Sequence, residues 1–218
     1  MTSRLFSVGV ASRSSRMWQR ACWLVFISVG VIAQLPATAP PRLPVPPQWR
    51  IEETPYPPPW AQQLPWKGRL QLRFPPGFFQ QQDPYFWSYP IFYWLRGDVL
   101  GDRAALQRAL REYDAGLYGK QFKSDQIKVE MSPDKTRRLG RQMVVYRRVV
   151  VDGFDPFVTK QPLKTYLETY RWYCPASKHT AVLILRSPRR PNPQDPVWQQ
   201  LLKFGESLSC PKSARPAR

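Results

Sequence analysis

Tyr85-Phe86-Trp87-Ser88-Tyr89-Pro90-Ile91-Phe92-Tyr93-Trp94 decides how this chain folds, because seven of these ten residues are aromatic. Aromatic side chains bury large areas, so a segment this dense either builds a core or walls a ligand site. As core it is a buried strand, entered from the polar Gln80-Gln81-Gln82-Asp83-Pro84 and left at Gly97-Asp98. As a wall it is one side of an aromatic-lined pocket, with Tyr85, Trp87, Tyr89 and Trp94 stacking on a ligand.

Outward from this stretch the chain alternates between strand and helix patterns. In Arg69-Leu70-Gln71-Leu72-Arg73-Phe74 the apolar residues fall on one face and the polar ones on the other, which predicts a half-buried strand ended by Pro75-Pro76-Gly77. Downstream, Asp102 can cap a helix whose Leu106, Ala109, Leu110, Tyr113 and Leu117 form one apolar stripe, with Gly119 as its stop. Strands are then expected over Ile127–Met131, Met143–Val151, Leu163–Cys174 and Thr180–Leu185, with Lys135–Arg141 a basic connection and Arg186–Gln194 a loop. Asp195-Pro196 opens a second helix, striped by Trp198, Leu201, Leu202, Phe204 and Leu208.

This order predicts an α+β fold: a two-layer sandwich in which an antiparallel sheet of about five strands carries two helices on one face. The motif Leu72-Arg73-Phe74-Pro75-Pro76-Gly77-Phe78, with a docking helix at the end, is similar to PsbP-like domains. That resemblance covers short motifs only. It implies an α-β-α sandwich as the alternative architecture and no site residues.

The N-terminus reads as an address. Residues 1–33 carry Arg4, Arg13, Arg16 and Arg20 without an acid, then a thirteen-residue apolar run from Ala21 to Ala33. A basic start, a short apolar run and the small residues of Val31-Ile32-Ala33 are the parts of a signal peptide. The run is short for a span of a bilayer core about 30 Å thick. Export to the periplasm or beyond is the expectation, with an inner-membrane anchor at residues 21–33 as the alternative. Eleven prolines between residues 34 and 65 predict an extended linker, leaving one domain over 66–210 and a basic disordered tail over 211–218. Removing residues 1–33 leaves Cys174 and Cys210, an even pair that an oxidising compartment would join as a disulfide.

The formal charge is +18, from 33 Lys and Arg against 15 Asp and Glu. Without the four N-terminal arginines it is still +14. Such an excess attracts polyanions. The candidate anion-binding residues are Arg137, Arg138, Arg141, Arg147, Arg148, Arg186, Arg189 and Arg190, which converge if their loops meet at one end of the sheet. For an exported chain the partner is an anionic lipid, a glycan or another envelope polyanion, and for a retained one it is nucleic acid. The leading reading is a non-enzymatic envelope protein. The alternatives are a small-ligand carrier using the aromatic stretch, and a hydrolase using Asp152 or Asp155 with Glu130 or Glu168. His179 is the only histidine, with no partner motif for a triad or zinc site. No P-loop, GxGxxG, HExxH or GxSxG pattern is present, so no cofactor is expected.

Overall fold

The computed structural model describes residues 40–120 and 122–211, all within a unit spanning residues 36–218. The signal-like segment 1–33 lies outside the described residues, as does the tail beyond Pro211. The fold is α+β. Its elements are β1 (Arg50–Tyr56), β2 (Gly68–Phe74), β3 (Tyr89–Arg96), α1 (Arg103–Tyr118), β4 (Lys128–Met131), β5 (Lys135–Leu139), β6 (Gln142–Phe154), β7 (Pro162–Cys174), β8 (His179–Ser187) and α2 (Pro196–Glu206). The eight strands form one antiparallel sheet in the order β1-β2-β3-β8-β7-β6-β4, and β5 pairs with β6 beyond β4's register.

The aromatic stretch is core. Seven of the eight residues of β3 are buried, and β3 pairs with β2 on one side and β8 on the other. Tyr89, Ile91, Tyr93 and Leu95 pack on one face with Leu106, Leu110 and Tyr113 of α1, while Phe92 and Trp94 pack on the other with Trp198, Leu201 and Phe204 of α2. The helices therefore lie on opposite faces, correcting the expected two-layer arrangement. The reason lies in the strands: β3 and β8 are apolar on both sides, and a strand without a polar face needs cover on each. Each large apolar side chain buried in this way contributes about 1.5–3 kcal/mol.

Both helices begin as the sequence predicts. The Asp102 carboxylate accepts from the Ala104 and Ala105 amides, and that of Asp195 from the Val197 and Trp198 amides, with Pro196 in the first turn where no amide hydrogen is needed. The Cys174–Cys210 disulfide forms, tying the end of β7 to the chain just past α2.

Two further expectations are corrected. The basic connection Lys135–Arg141 contains β5, and the proline-rich segment 34–65 is no free spacer, because it contains β1. Pro55 is tolerated since β1 is an edge strand whose outer side needs no donor. The segment before β1 covers the polar face of β2. Gln71 accepts from the Leu43 amide at 2.9 Å and donates to the Pro41 carbonyl at 2.7 Å, and Arg73 donates to the Leu43 carbonyl at 3.1 Å. The described residues before β1, interrupted by Pro40, Pro41, Pro44, Pro46 and Pro47, form no strand, so side chains satisfy backbone groups there. Gln71 and Arg73 alternate as predicted, yet both are buried.

Candidate anion-binding site

The predicted arginines divide into two populations. Arg186, on the α1 face, is 1% exposed and fully engaged. Its two terminal nitrogens reach the Asp114 carboxylate at 2.5 and 2.8 Å, and its Nε reaches the Thr165 hydroxyl at 3.1 Å. Burial opposes the charged guanidinium, but Asp114 outweighs it and the Arg186 pKa is raised. Arg147, equally buried, makes a two-pronged pair with Asp134 at 2.5 and 2.7 Å and donates to the Gly101 carbonyl. That pair holds the Asp134 carboxyl below its usual range. These two arginines are corrected from anion-binding residues to internal ties, because both are buried and each is paired with an aspartate. Arg189 is half-exposed but engaged with Asp195 at 2.6 Å.

Arg137, Arg148 and Arg190 belong to the other population, and register brings the first two together. On the α2 face, β6 and β7 oppose Tyr146 to Tyr170 and Arg148 to Glu168, while β5 sets Arg137 opposite Val144. The Glu168 carboxylate accepts from the Tyr146 phenol at 2.9 Å and the Tyr170 phenol at 2.5 Å. Burial, followed by the Glu168 charge, pushes the Tyr146 pKa up, so this phenol stays a donor. The Arg137 guanidinium lies 3.9 Å from the centre of the Tyr146 ring. Arg148 donates through Nε to the Tyr146 hydroxyl at 2.9 Å, with Glu168 3.7 Å away. Arg190 sits over the ring of Tyr166, one strand repeat from Glu168, and donates to its hydroxyl at 3.1 Å.

Tyrosines thus position all three guanidinium groups. Among the described residues Arg137 has no hydrogen bond or ion pair, and Arg148 and Arg190 engage only Nε, leaving the terminal nitrogens open. Arg137, Arg148 and Glu168 line a cavity of about 160 Å³ closed by Pro191, Asn192, Pro193 and Trp198. Two positive charges beside one buried carboxylate leave the cleft cationic, and a guanidinium fork fits an oxyanion bidentately. Arg138 pairs in register with Met143, on the other face of β5, and donates to the Gly140 carbonyl, while Arg141 is exposed in the β5–β6 turn. Neither joins the cleft.

The four proposed stacking residues do not form one wall. Trp87 and Tyr89 are buried on the α1 face, where the Trp87 indole donates to Asp155 at 3.0 Å. Trp94 is buried on the α2 face, its ring parallel to His179 at 4.9 Å, and Tyr85 is half-buried against Trp49. Tyr89 lines a cavity beside β1, β2 and α1. The candidate acids have separate duties: Asp152 pairs with Lys164, Glu130 with Lys128, and Asp155 anchors a loop. Among the described residues no group of three or more His, Cys, Asp or Glu is placed to hold a metal ion. None of their helices is long and apolar enough to cross a membrane.

Sequence reasoning missed Tyr146, Tyr166 and Tyr170 as parts of the site. The signal was present in the alternation of β7, which puts Tyr166, Glu168 and Tyr170 on one face. No family model, curated protein or solved structure matches this chain, so the cleft is interpreted from its own chemistry.

Proposed function

We propose that this protein is a non-enzymatic, exported envelope protein that binds an anionic, oxyanion-bearing envelope component through Arg137, Arg148 and Arg190. The observation that carries the reading is that three guanidinium groups are held by tyrosines and lack an acid partner of their own beyond the 3.7 Å approach of Arg148 to Glu168, and that two of them, Arg137 and Arg148, line one cleft. Arginines serving solubility alone need no such platforms. The charge excess, +14 once residues 1–33 are removed, adds long-range attraction that draws a polyanion toward the cleft. Phosphate on a lipid headgroup and carboxylate on an acidic glycan share the chemistry recognised here.

The test compares binding to phosphatidylglycerol vesicles, polygalacturonate and duplex DNA across a salt series. Wild type is expected to bind one envelope probe more tightly than DNA, with affinity falling as salt rises. The R137Q/R148Q/R190Q variant is expected to lose at least about tenfold in affinity, the scale of one or two charge-assisted hydrogen bonds, and R138Q/R141Q to lose little. Equal losses in the two variants would show that charge alone acts, without the cleft. Export is checked by intact mass from fractionated cells. A chain beginning at Gln34 supports it, whereas a full-length chain in the cytosol makes nucleic acid the leading partner.

A further inference from the structure

On the α1 face, across the sheet from the arginine cleft, a cavity of about 200 Å³ opens beside β1, β2 and α1. Its walls are mostly rings, with Phe74, Phe78, Tyr89 and Tyr113 buried inside and Trp60 half-buried at one side. Phe79 and Phe157 also line it, 43% and 42% exposed, and meet edge to face at 5.7 Å. We propose that this cavity binds a small aromatic molecule carrying one anionic group, next to Arg50.

Size sets the first limit. A dry apolar cavity of about 150 Å³ accepts benzene, so one of 200 Å³ accepts a single ring with a short substituent. The mouth is the second observation. An exposed phenylalanine gains little from folding, yet Phe157 is held firmly by its loop. The buried Asp155 carboxylate accepts from the amides of Phe157, Val158 and Thr159, from the Thr159 hydroxyl and from the Trp87 indole. Phe157 in turn stacks on Trp87 at 5.6 Å. Preorganised rings of this kind present edges and faces to a ligand ring without a further ordering cost on binding.

Charge sets the third limit. The Arg50 guanidinium lies 5.0 Å from the Phe74 ring centre and 5.4 Å from that of Phe79, and has no ion pair or hydrogen bond among the described residues. Its donors are open to a carboxylate on a ring seated in the cavity. Glu52, two residues along β1 and also lining the cavity, makes no ion pair among the described residues. It disfavours a second anionic group, so the ligand class is monoanionic.

Phenylacetate, with benzyl alcohol as its neutral counterpart, tests the proposal by titration with aromatic NMR detection. Phenylacetate is expected to bind saturably, shifting Phe79 and Phe157, and several-fold more tightly than benzyl alcohol. Arg50→Gln is expected to remove that preference, and Phe157→Ala, a change at an exposed ring, to weaken both ligands by roughly tenfold without loss of fold. R137Q/R148Q/R190Q is expected to bind phenylacetate as wild type does, which separates this site from the arginine cleft. The absence of saturable binding up to the solubility limit overturns the proposal. So does equal affinity for both ligands, or an unchanged affinity in Phe157→Ala.

Discussion

Arg186 on one face of the sheet and Arg137, Arg148 and Arg190 on the other carry the same charge in opposite circumstances. Arg186 is enclosed, and Asp114, Thr165 and Tyr118 occupy its donors. The other three rest on tyrosines and keep their terminal nitrogens open. The difference lies in where the acids are. With 15 acids for 33 bases, the fold can neutralise only some of its arginines, and the buried ones take priority because an unpaired buried charge is costly. A cluster of arginines in sequence is therefore no site until the acid partners are subtracted.

The largest effect expected from this contrast follows Asp114→Asn, which leaves Arg186 charged, buried and without its carboxylate. Loss of one partner of a buried pair costs about 3–5 kcal/mol, or about 10–15 °C in Tm for a domain of this size. Thermal unfolding followed by circular dichroism measures it. The double variant Asp114→Leu/Arg186→Met should recover most of that loss, since the charge and its partner leave together. If it recovers none, the pair is irreplaceable and the account of its energetics is wrong.

Cys210→Ser ranks next. The bridge closes a loop with a sequence separation of 36, for which chain entropy gives up to about 4 kcal/mol and measured values often fall short. The bridge anchors the chain after α2, whose Trp198 and Leu202 line the arginine cleft. Reduction or substitution should thus weaken anion binding while leaving phenylacetate binding at the opposite face nearly intact. Equal weakening at both sites would mean that the two faces of the sheet are not energetically separable.

Much of this fold is legible in the sequence, and its failures have physical causes. Capping at Asp102 and Asp195, the stripes of both helices and the strand character of β2, β6 and β7 are local patterns that hold, although β2 is buried on both faces rather than one. The placement of α2 was also signalled, since Thr180 to Leu185 is apolar at every position but the first, and such a strand needs cover on both faces. What local pattern could not show is that β1 pairs with β2 through a segment dense in proline, or that the chain at Leu43 reaches back to Arg73. Both are long-range contacts, the first a backbone ladder and the second a side chain reaching the backbone of a segment outside the sheet. For the site, the charge clusters pointed to arginine, but only the cross-strand register separated Arg137 and Arg148 from Arg147.

A smaller effect sharpens the comparison from the acid side. Asp155 is buried like Asp114, but neutral donors hold it instead of an arginine. Burial raises its pKa, and the Thr159, Phe157 and Val158 bonds more than reverse this, leaving the carboxyl below its ordinary value. A depressed carboxyl contributes stability that is complete above its unfolded pKa of about 3.9 and is lost as pH falls through the lower folded value. Asp155→Asn should therefore cost about 2 kcal/mol near neutrality, the worth of hydrogen bonds to a charged acceptor. The gap between wild type and variant should narrow below about pH 4. Urea midpoints across that range measure it, and a gap that widens on acidification contradicts the assignment.

The smallest effect belongs to R137Q/R148Q/R190Q, and it bears most directly on function. All three side chains are exposed or border the cleft, and Glu168 keeps both tyrosine donors when Arg148 is replaced. Solvent-exposed contacts of this kind contribute about 0–1 kcal/mol each, so the stability change should stay within about 1 kcal/mol in total while anion affinity falls. Arg186 should show the reverse, a large loss of stability and no contribution to binding of its own. If the triple variant unfolds as readily as Asp114→Asn, the tyrosine-held arginines are structural ties like Arg186, and the cleft loses its claim to be a site. If it keeps its stability and loses its ligand, the open terminal nitrogens are what the tyrosine platforms are arranged to present.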